Sequence, residues 1–496
     1  MPMLSELLTL QVLVPWLLGM VFGVFVGATP GLTATMAVAL IVPISFHLDP
    51  NAGLALIIGV SFTAIFAGDI PATYLRIPGT PASAAATLDG HELARQGRGG
   101  EALMLDLFCS CLGGLMGVSL LIAVARPLAR FALRFSDFEY FWLGILGLSL
   151  SALVSRGSTL KGIMAALLGM LIATVGIDVV SGVPRYTFGS VDLLDGLHFI
   201  PVMIGLFGLA EVLRNVRAGA GMSLPSVEHS ARLSPLVALR TIRRHPWLIC
   251  QSALAGTVIG ALPGAGADIA AWGAYGLAKK TSRQADKFGS GSVEGVIAPT
   301  SANNAAVAGA WIPALVFGVP GDAVTAIVLG AMMMYEIRPG PQLFETGNSQ
   351  VQAIFLIALV TQFLLLPAGL LGIYAFGQIL KLPRRYLLIA VVIFSVVGAY
   401  ALRNSWFDVW VMFAFGLVGF FLESQRVPLA PVILGLILSD LIEDKLRAGL
   451  ISSSGDLWPL FTRPICMILV SLLVTVLLFG PLLSLVRRVA VRAREG

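Results

Sequence analysis

Four Pro-Gly steps interrupt apolar runs of the chain: Pro30-Gly31, Pro78-Gly79, Pro263-Gly264 and Pro320-Gly321. Proline followed by glycine stops a helix. A helix restarting just beyond, from Leu32 or from Ala267 onward, exposes free N–H groups and the positive end of its dipole. Such an end attracts an anion. Thr29 precedes the first step, Gly266 follows the third, and Thr80, Ser83 and Thr325 put hydroxyls within a turn of the second and fourth. The chemistry these residues suit is reversible binding of an anion with several charges. For any single step the alternative is a kink that eases helix packing.

Polar residues at depth add a second kind of site. Asp69 and Arg76 lie between apolar runs just before Pro78, Asp268 follows Pro263, Asp322 follows Gly321, and Ser301, Asn303 and Asn304 interrupt a small-residue stretch. Ionisable groups inside a membrane are expensive and are functional candidates by default. Asp69, Asp268 and Asp322 are therefore candidates for holding a cation. Side-chain amides with freed carbonyls suit sodium, and a buried carboxylate suits sodium or a proton. The alternatives are structural: an Asp69–Arg76 pair two helical turns apart, and interhelical hydrogen bonds from the two asparagines.

Other chemistries find no footing. The five histidines and four cysteines have no ligand-type spacing, which leaves no zinc set and points to buried free thiols. The stretch "GSGSVEG", 289–295, lacks the Gly-Lys-Ser/Thr ending and the preceding strand of a phosphate loop, and reads as a loop or helix entry. No Ser-His-Asp or Cys-His set can be assembled within one segment, no cofactor motif is present, and nucleic-acid binding is not indicated.

The elements that must position these groups follow from composition. The chain has 496 residues, 57% hydrophobic and 12% charged, against roughly 25% charged in soluble domains. Apolar runs such as Phe108 to Ala125, Val351 to Phe376 and Tyr386 to Tyr400 recur, with no ten-residue alternation of barrel strands. The expected fold is an all-α polytopic membrane protein of about ten to fourteen segments. Leu7 to Phe25 lacks the basic region and cleavage site of a secretory signal, so it is expected to be a retained segment.

The polar passage from Arg214 to Pro246 holds six arginines and one acid, Glu228, and by the positive-inside rule is cytoplasmic, as is the arginine-bearing C-terminal end. It separates a first membrane repeat, 1–215, from a second, 247–445, with a linker over 216–246 and a C-terminal segment and tail over 446–496. The pattern G-x-x-x-G-A-x-P-G occurs at Gly23 to Gly31 and again at Gly256 to Gly264, and P-G-x-x-x-[S/T]-A at Pro78 to Ala84 and at Pro320 to Ala326. The two motifs stand 48 residues apart in the first copy, Pro30 to Pro78, and 57 in the second, Pro263 to Pro320. Lys and Arg bracket the stretch around Pro263 and are absent around Pro30, the opposite bias that an inverted-topology repeat predicts, with broken helices or re-entrant hairpins.

At these motifs the sequence resembles the large membrane subunit of the tripartite tricarboxylate transporter family, the TctA family. The resemblance rests on "GATPGLTATMAVALIVPISFHLDP" (27–50), "PGTPASAAATLDGHELARQGRGGEAL" (78–103), "GALPGAGADIA" (260–270), "SANNAAVAGAWIPALVFGVPGDAVTAIVLGAMM" (301–333) and "RPGPQLF" (338–344), in that order. It implies a non-enzymatic secondary importer of a small carboxylate in the bacterial inner membrane, coupled to a sodium or proton gradient. It also implies a small four-span membrane subunit and a periplasmic binding protein as partners; self-association is left open. Three positions depart from the family pattern: Thr300 stands where a glutamate is usual, Asp69 where a small hydroxyl residue is usual, and Asp322 where serine is usual. The expected substrate site is Thr29, Pro30 and Gly31; Pro78, Gly79, Thr80 and Ser83; Pro263, Gly264 and Gly266; Ser301, Asn303 and Asn304; and Pro320, Gly321 and Thr325. A stand-alone carrier or anion channel, and more remotely an intramembrane enzyme, are the alternatives.

Overall fold

The computed structural model describes residues 6–154, 158–178, 180–218, 233–345, 349–379, 384–475 and 477. Residues 219–232 of the linker, with Glu228 and Arg232, and the C-terminal arginines lie outside the described residues. The chain is helical nearly throughout, an all-α polytopic membrane protein. In order, the helices are α1 (Leu10–Gly27), α2 (Ala34–Ser45), α3 (Pro50–Ala67), α4 (Asp69–Leu75), α5 (Thr87–Leu93), α6 (Gly99–Ala132), α7 (Asp137–Val154), α8 (Thr159–Ala173), α9 (Phe199–Met203) and α10 (Ala210–Ala218). The series continues with α11 (Pro235–Arg244), α12 (Pro246–Gly260), α13 (Gly266–Thr281), α14 (Val293–Phe317), α15 (Ala323–Met334), α16 (Gln342–Glu345), α17 (Ser349–Ile379), α18 (Arg384–Ala401), α19 (Trp406–Ser424) and α20 (Ala430–Ser452). A two-residue antiparallel pairing, Gly176–Ile177 with Pro184–Arg185, is the strand structure among the described residues.

Six helical stretches among the described residues are long and apolar enough to cross a bilayer, including Pro50–Leu75, Pro81–Ala132 and Ser349–Phe376. Others are too short. At 12 residues each, α2 and α15 extend roughly 18 Å, against a hydrocarbon core of about 30 Å. Both begin just after a break, as expected of a chain interrupted by Pro-Gly.

Two helices form the centre. The apolar stretch of α3 and α4 is buried throughout, and α14 is buried from Gly295 to Val316. Each packs against the helix before the first break of its own half, α1 on α3 and α12 on α14, and against the long helix of the other half, α17 on α3 and α6 on α14. Lipid supplies little drive for helix association, so close approach of small residues must supply it. That is what the G-x-x-x-G pairs do: a Cβ at Gly27 would lie 2.3 Å from the Ala64 carbonyl oxygen, and one at Gly260 would lie 2.2 Å from that of Ala306.

The same crossing recurs at the second pair of breaks. A Cβ at Gly79 would meet the Gly27 carbonyl oxygen at 2.2 Å, and one at Gly321 would meet that of Gly260 at 2.6 Å. The helix before each of these breaks ends in a left-handed residue, Arg76 (φ 57°) or Gly318 (φ 71°). At the first pair, Gly31 (φ 93°) and Gly264 (φ 83°) both turn through the left-handed region, which glycine enters without a Cβ penalty.

Away from the centre, polar ties fix the connections. Asp178, at the strand pairing, bonds Arg447 (2.7 Å) and Arg185 (2.8 Å). The Ser181 hydroxyl, then Arg447 and Arg185, hold its carboxyl below the usual carboxylate range. The glycine-rich loop before α14 does cradle an anion, but an internal one. Asp89 Oδ1 accepts the backbone N–H groups of Gly289 (2.8 Å), Gly291 (2.9 Å) and Ser292 (2.7 Å), while Oδ2 accepts the Tyr275 hydroxyl at 2.9 Å.

Candidate functional site

A cavity of about 460 Å³ lies where the breaks meet. Its wall takes Thr33, Ala34 and Thr35 from the start of α2, Thr80 to Ala82 from the second break, Gly264 and Gly266 to Ile269 from the start of α13, and Asp322 to Val324 from the start of α15. Arg214 of α10, with Glu423 and Arg426 at the end of α19, completes it. The volume suits a small molecule. A larger hollow of about 1120 Å³ beside α6, α11 and α12 is lined by aliphatic side chains such as Leu112, Met116 and Leu254, and no Pro-Gly turn reaches it. The smaller, polar cavity is therefore the candidate.

Local sequence explains each wall. Thr33 caps α2, its Oγ1 accepting the Met36 N–H at 3.1 Å. After Pro78-Gly79 the chain forms a 3-10 turn, Pro81–Ala84, before α5. The Gly79 N–H bonds the Gly68 carbonyl at 3.0 Å, and Thr80 Oγ1 meets Ser83 Oγ at 2.9 Å. In the second half the Gly264 N–H bonds the Gly321 carbonyl at 2.7 Å, which ties the two breaks together. Asp322 caps α15 in a reciprocal box with Thr325, accepting its N–H at 2.8 Å.

The charge around the cavity is lopsided. Asp322 and Asp268 stand at the starts of α15 and α13, and a Cβ at Gly266 would meet Asp268 Oδ1 at 3.2 Å and Asp322 Cβ at 3.4 Å. Those two helix starts already have a carboxylate each. The start of α2 and the Thr80 turn bring hydroxyls instead, and the exposed side chains of Arg214 and Arg426 stand at the rim. Arg214 is held by Glu211 at 2.5 Å and Glu423 at 3.8 Å. An anionic group is favoured on the Thr33–Thr80 side, and a hydrogen-bond donor or cation is favoured against Asp268 and Asp322.

Of the residues singled out in the sequence, Thr80, Gly264, Gly266, Asp268 and Asp322 line this cavity. Thr29, Pro30 and Gly31 do not, because α2 starts at Ala34 and its first turn is what faces inward. The Thr29 hydroxyl donates to the Phe25 carbonyl at 2.7 Å and closes the last turn of α1. Pro78, Gly79, Pro263, Pro320, Gly321 and Thr325 build the turns behind the wall. Ser83, Ser301, Asn303 and Asn304 are buried in a separate polar seam with Asp69 and Thr300, where Asn303 Nδ2 donates to Asp69 Oδ2 at 3.3 Å. Arg76 is exposed and makes no ion pair with Asp69 among the described residues.

Sequence reasoning missed Thr33 and Thr35, which the two-residue shift in helix start brings inward, and Arg214, Glu423 and Arg426, which looked like flanking charge. It also missed Asp106. The apolar run drawn from Phe108 began too late, and a lone carboxylate inside "ALMLDLFCSC" was the available signal.

Residues 13–434 match the family model described as the tripartite tricarboxylate transporter TctA family. Two proteins of Agrobacterium vitis are similar. One, described as an uncharacterized 52.8 kDa protein in the TAR-I ttuC' 3' region, is 34% identical over 90% of this chain and 88% of its own length. The other, described as an uncharacterized protein in the TAR-II ttuC' 3' region, is 36% identical over 44% of this chain and 90% of its own. No solved structure matches.

Proposed function

Because the chain belongs to the tripartite tricarboxylate transporter TctA family and is a multi-pass membrane component of a transport system, we propose that it is the permease of a secondary importer of a small carboxylate. Substrate is handed over by a periplasmic binding protein, a small four-span subunit accompanies the permease in the bacterial inner membrane, and a sodium or proton gradient drives uptake. The observation that carries the reading is the cavity in which the four Pro-Gly breaks meet, with hydroxyls and a helix start that has no carboxylate on one side and Asp268 and Asp322 on the other. A carboxylate takes the first side. A substrate hydroxyl or a co-bound cation takes the second, which relieves the repulsion that two fixed carboxylates would otherwise exert.

The two halves act as inverted repeats. The reversed charge bias around Pro30 and Pro263 and the recurring glycine crossing support this. Arg214, Glu423 and Arg426 belong to the side that the charge rule assigns to the cytoplasm, so this conformation releases substrate inward.

The test is uptake of labelled mono-, di- and tricarboxylates by cells expressing the whole system. Saturable uptake that requires the binding protein and stops when the cation gradient is collapsed is expected. Thr80→Val keeps the shape but removes a hydroxyl from the cavity. A hydrogen bond to a charged group contributes about 1.5–3 kcal/mol, so uptake should fall about tenfold or more. Uptake that persists without the binding protein identifies a stand-alone carrier, and flux that never saturates identifies a channel.

A further inference from the structure

Two carboxylates that the cavity does not use lie behind it. Asp69, at the start of α4, and Asp106, in α6, are wholly buried, as are Ser301 and Asn304 on α14. Helix α6 packs against both α4 and α14, Asn303 of α14 reaches Asp69 at 3.3 Å, and the carboxylates of Asp69 and Asp106 stand within electrostatic reach of each other. Asp69 Oδ1, both oxygens of Asp106, Ser301 Oγ and Asn304 Oδ1 have no hydrogen-bond partner. Thr73 lies beside Asp106 but outside hydrogen-bonding geometry. The Asn304 amide is pinned from its other end, Nδ2 reaching the Ser110 carbonyl at 3.5 Å, and the Asn304 N–H bonds Asn303 Oδ1 at 2.6 Å. These buried oxygens are left without a partner, in the part of a membrane protein where unsatisfied polar groups are least tolerated.

A single proton would satisfy one of these acceptors. A hard cation, which takes several oxygen ligands at once, would engage them together. Dehydration cost rises with the square of the charge, and magnesium in particular keeps its water, so a dry seam of this kind favours a single charge. We propose that Asp69, Asp106, Ser301 and Asn304 bind a small, dehydrated monovalent cation of sodium's class. The site touches the cavity through two hydroxyls: Ser83 lies beside Asp69 and meets Thr80 Oγ at 2.9 Å, and Thr80 lines the cavity wall. Cation loading therefore orients the hydroxyl that a carboxylate would meet. This coupling rests on the proposed function, whereas the cation site itself does not.

The test needs neither substrate nor binding protein. Purified full-length protein in detergent is titrated with sodium chloride, with potassium and choline chloride as ionic-strength controls, and thermal stability and bound radioactive sodium are read on the monodisperse fraction. Sodium alone should raise Tm, and Asp69→Asn and Asp106→Asn should weaken sodium binding at least about tenfold. Ser301→Ala, the milder change, should weaken it while leaving the sodium-free Tm near wild type. Sodium binding unchanged in all three variants overturns the site. So does an equal response to choline, a response only to calcium or magnesium, or loss of binding in Asp268→Asn with retention in Asp106→Asn. If sodium binds as expected but cells take up no carboxylate, the functional reading fails and the cation site stands.

Discussion

Asp89 joins the two halves of the chain through one side chain. It stands on α5, and its four hydrogen bonds go to residues 186 to 203 positions away, three of them to backbone N–H groups at the entry to α14. Removing the carboxylate strands the buried Ser292 N–H and Tyr275 hydroxyl, each at about 1–3 kcal/mol, while the N–H of exposed Gly289 can turn to water. Asp89→Ala should therefore lower Tm sharply, and Asp89→Asn, which keeps an acceptor oxygen but loses the charge, should fall between it and wild type. Equal stability of Asp89→Ala and wild type would show that the loop holds itself. The sequence stretch 289–295 looked wrong for phosphate because it lacks the Gly-Lys-Ser/Thr ending and a preceding strand. The structure supplies the reason: the loop's anion is part of the protein. Thr29 carries a similar lesson, since its hydroxyl serves the turn and Thr33 and Thr35 face the cavity instead.

The elements were legible where backbone chemistry alone decides them. Pro-Gly marks a break wherever it falls, so the four breaks and the polytopic helical class could be read directly from the sequence. The exact helix starts could not, because Thr33 rather than Gly31 provides the cap for α2. The partners across space could not either: Arg214 and Arg426 reach the cavity only because α10 and α19 end beside it. Close packing of the breaks gives an element-scale prediction. Gly321→Ala places a methyl group 2.6 Å from the Gly260 carbonyl oxygen and from Ala310 Cα, so it should destabilise by about 1–3 kcal/mol. Gly276, within α13, has open space around its Cβ position. Gly276→Ala should therefore be neutral or stabilise by up to about 1 kcal/mol. Thermal melts of the two purified variants separate a glycine needed for contact from one that is not; similar shifts in both would remove the crossing from the account.

Over the whole molecule, α3 and α14 make a buried centre, the Pro-Gly turns meet beside it in one cavity, and the Asp69–Asp106 seam lies behind that cavity. In the proposed arrangement one short turn, Thr80 to Ser83, separates the anion from the cation. The central claim is that the transported carboxylate occupies the cavity. Ile269 lines it and is partly accessible. Cys250 is the exposed cysteine, with Cys109, Cys111 and Cys466 buried. Ile269→Cys in a Cys250→Ser background therefore offers a single reporter, with Leu254→Cys in the apolar hollow as control. With the carboxylate that cells take up present at about ten times its Kd, mass action should slow thiol labelling at position 269 about tenfold and leave position 254 unchanged. Labelling at 269 that proceeds at full speed, in a variant that still transports, would contradict the claim.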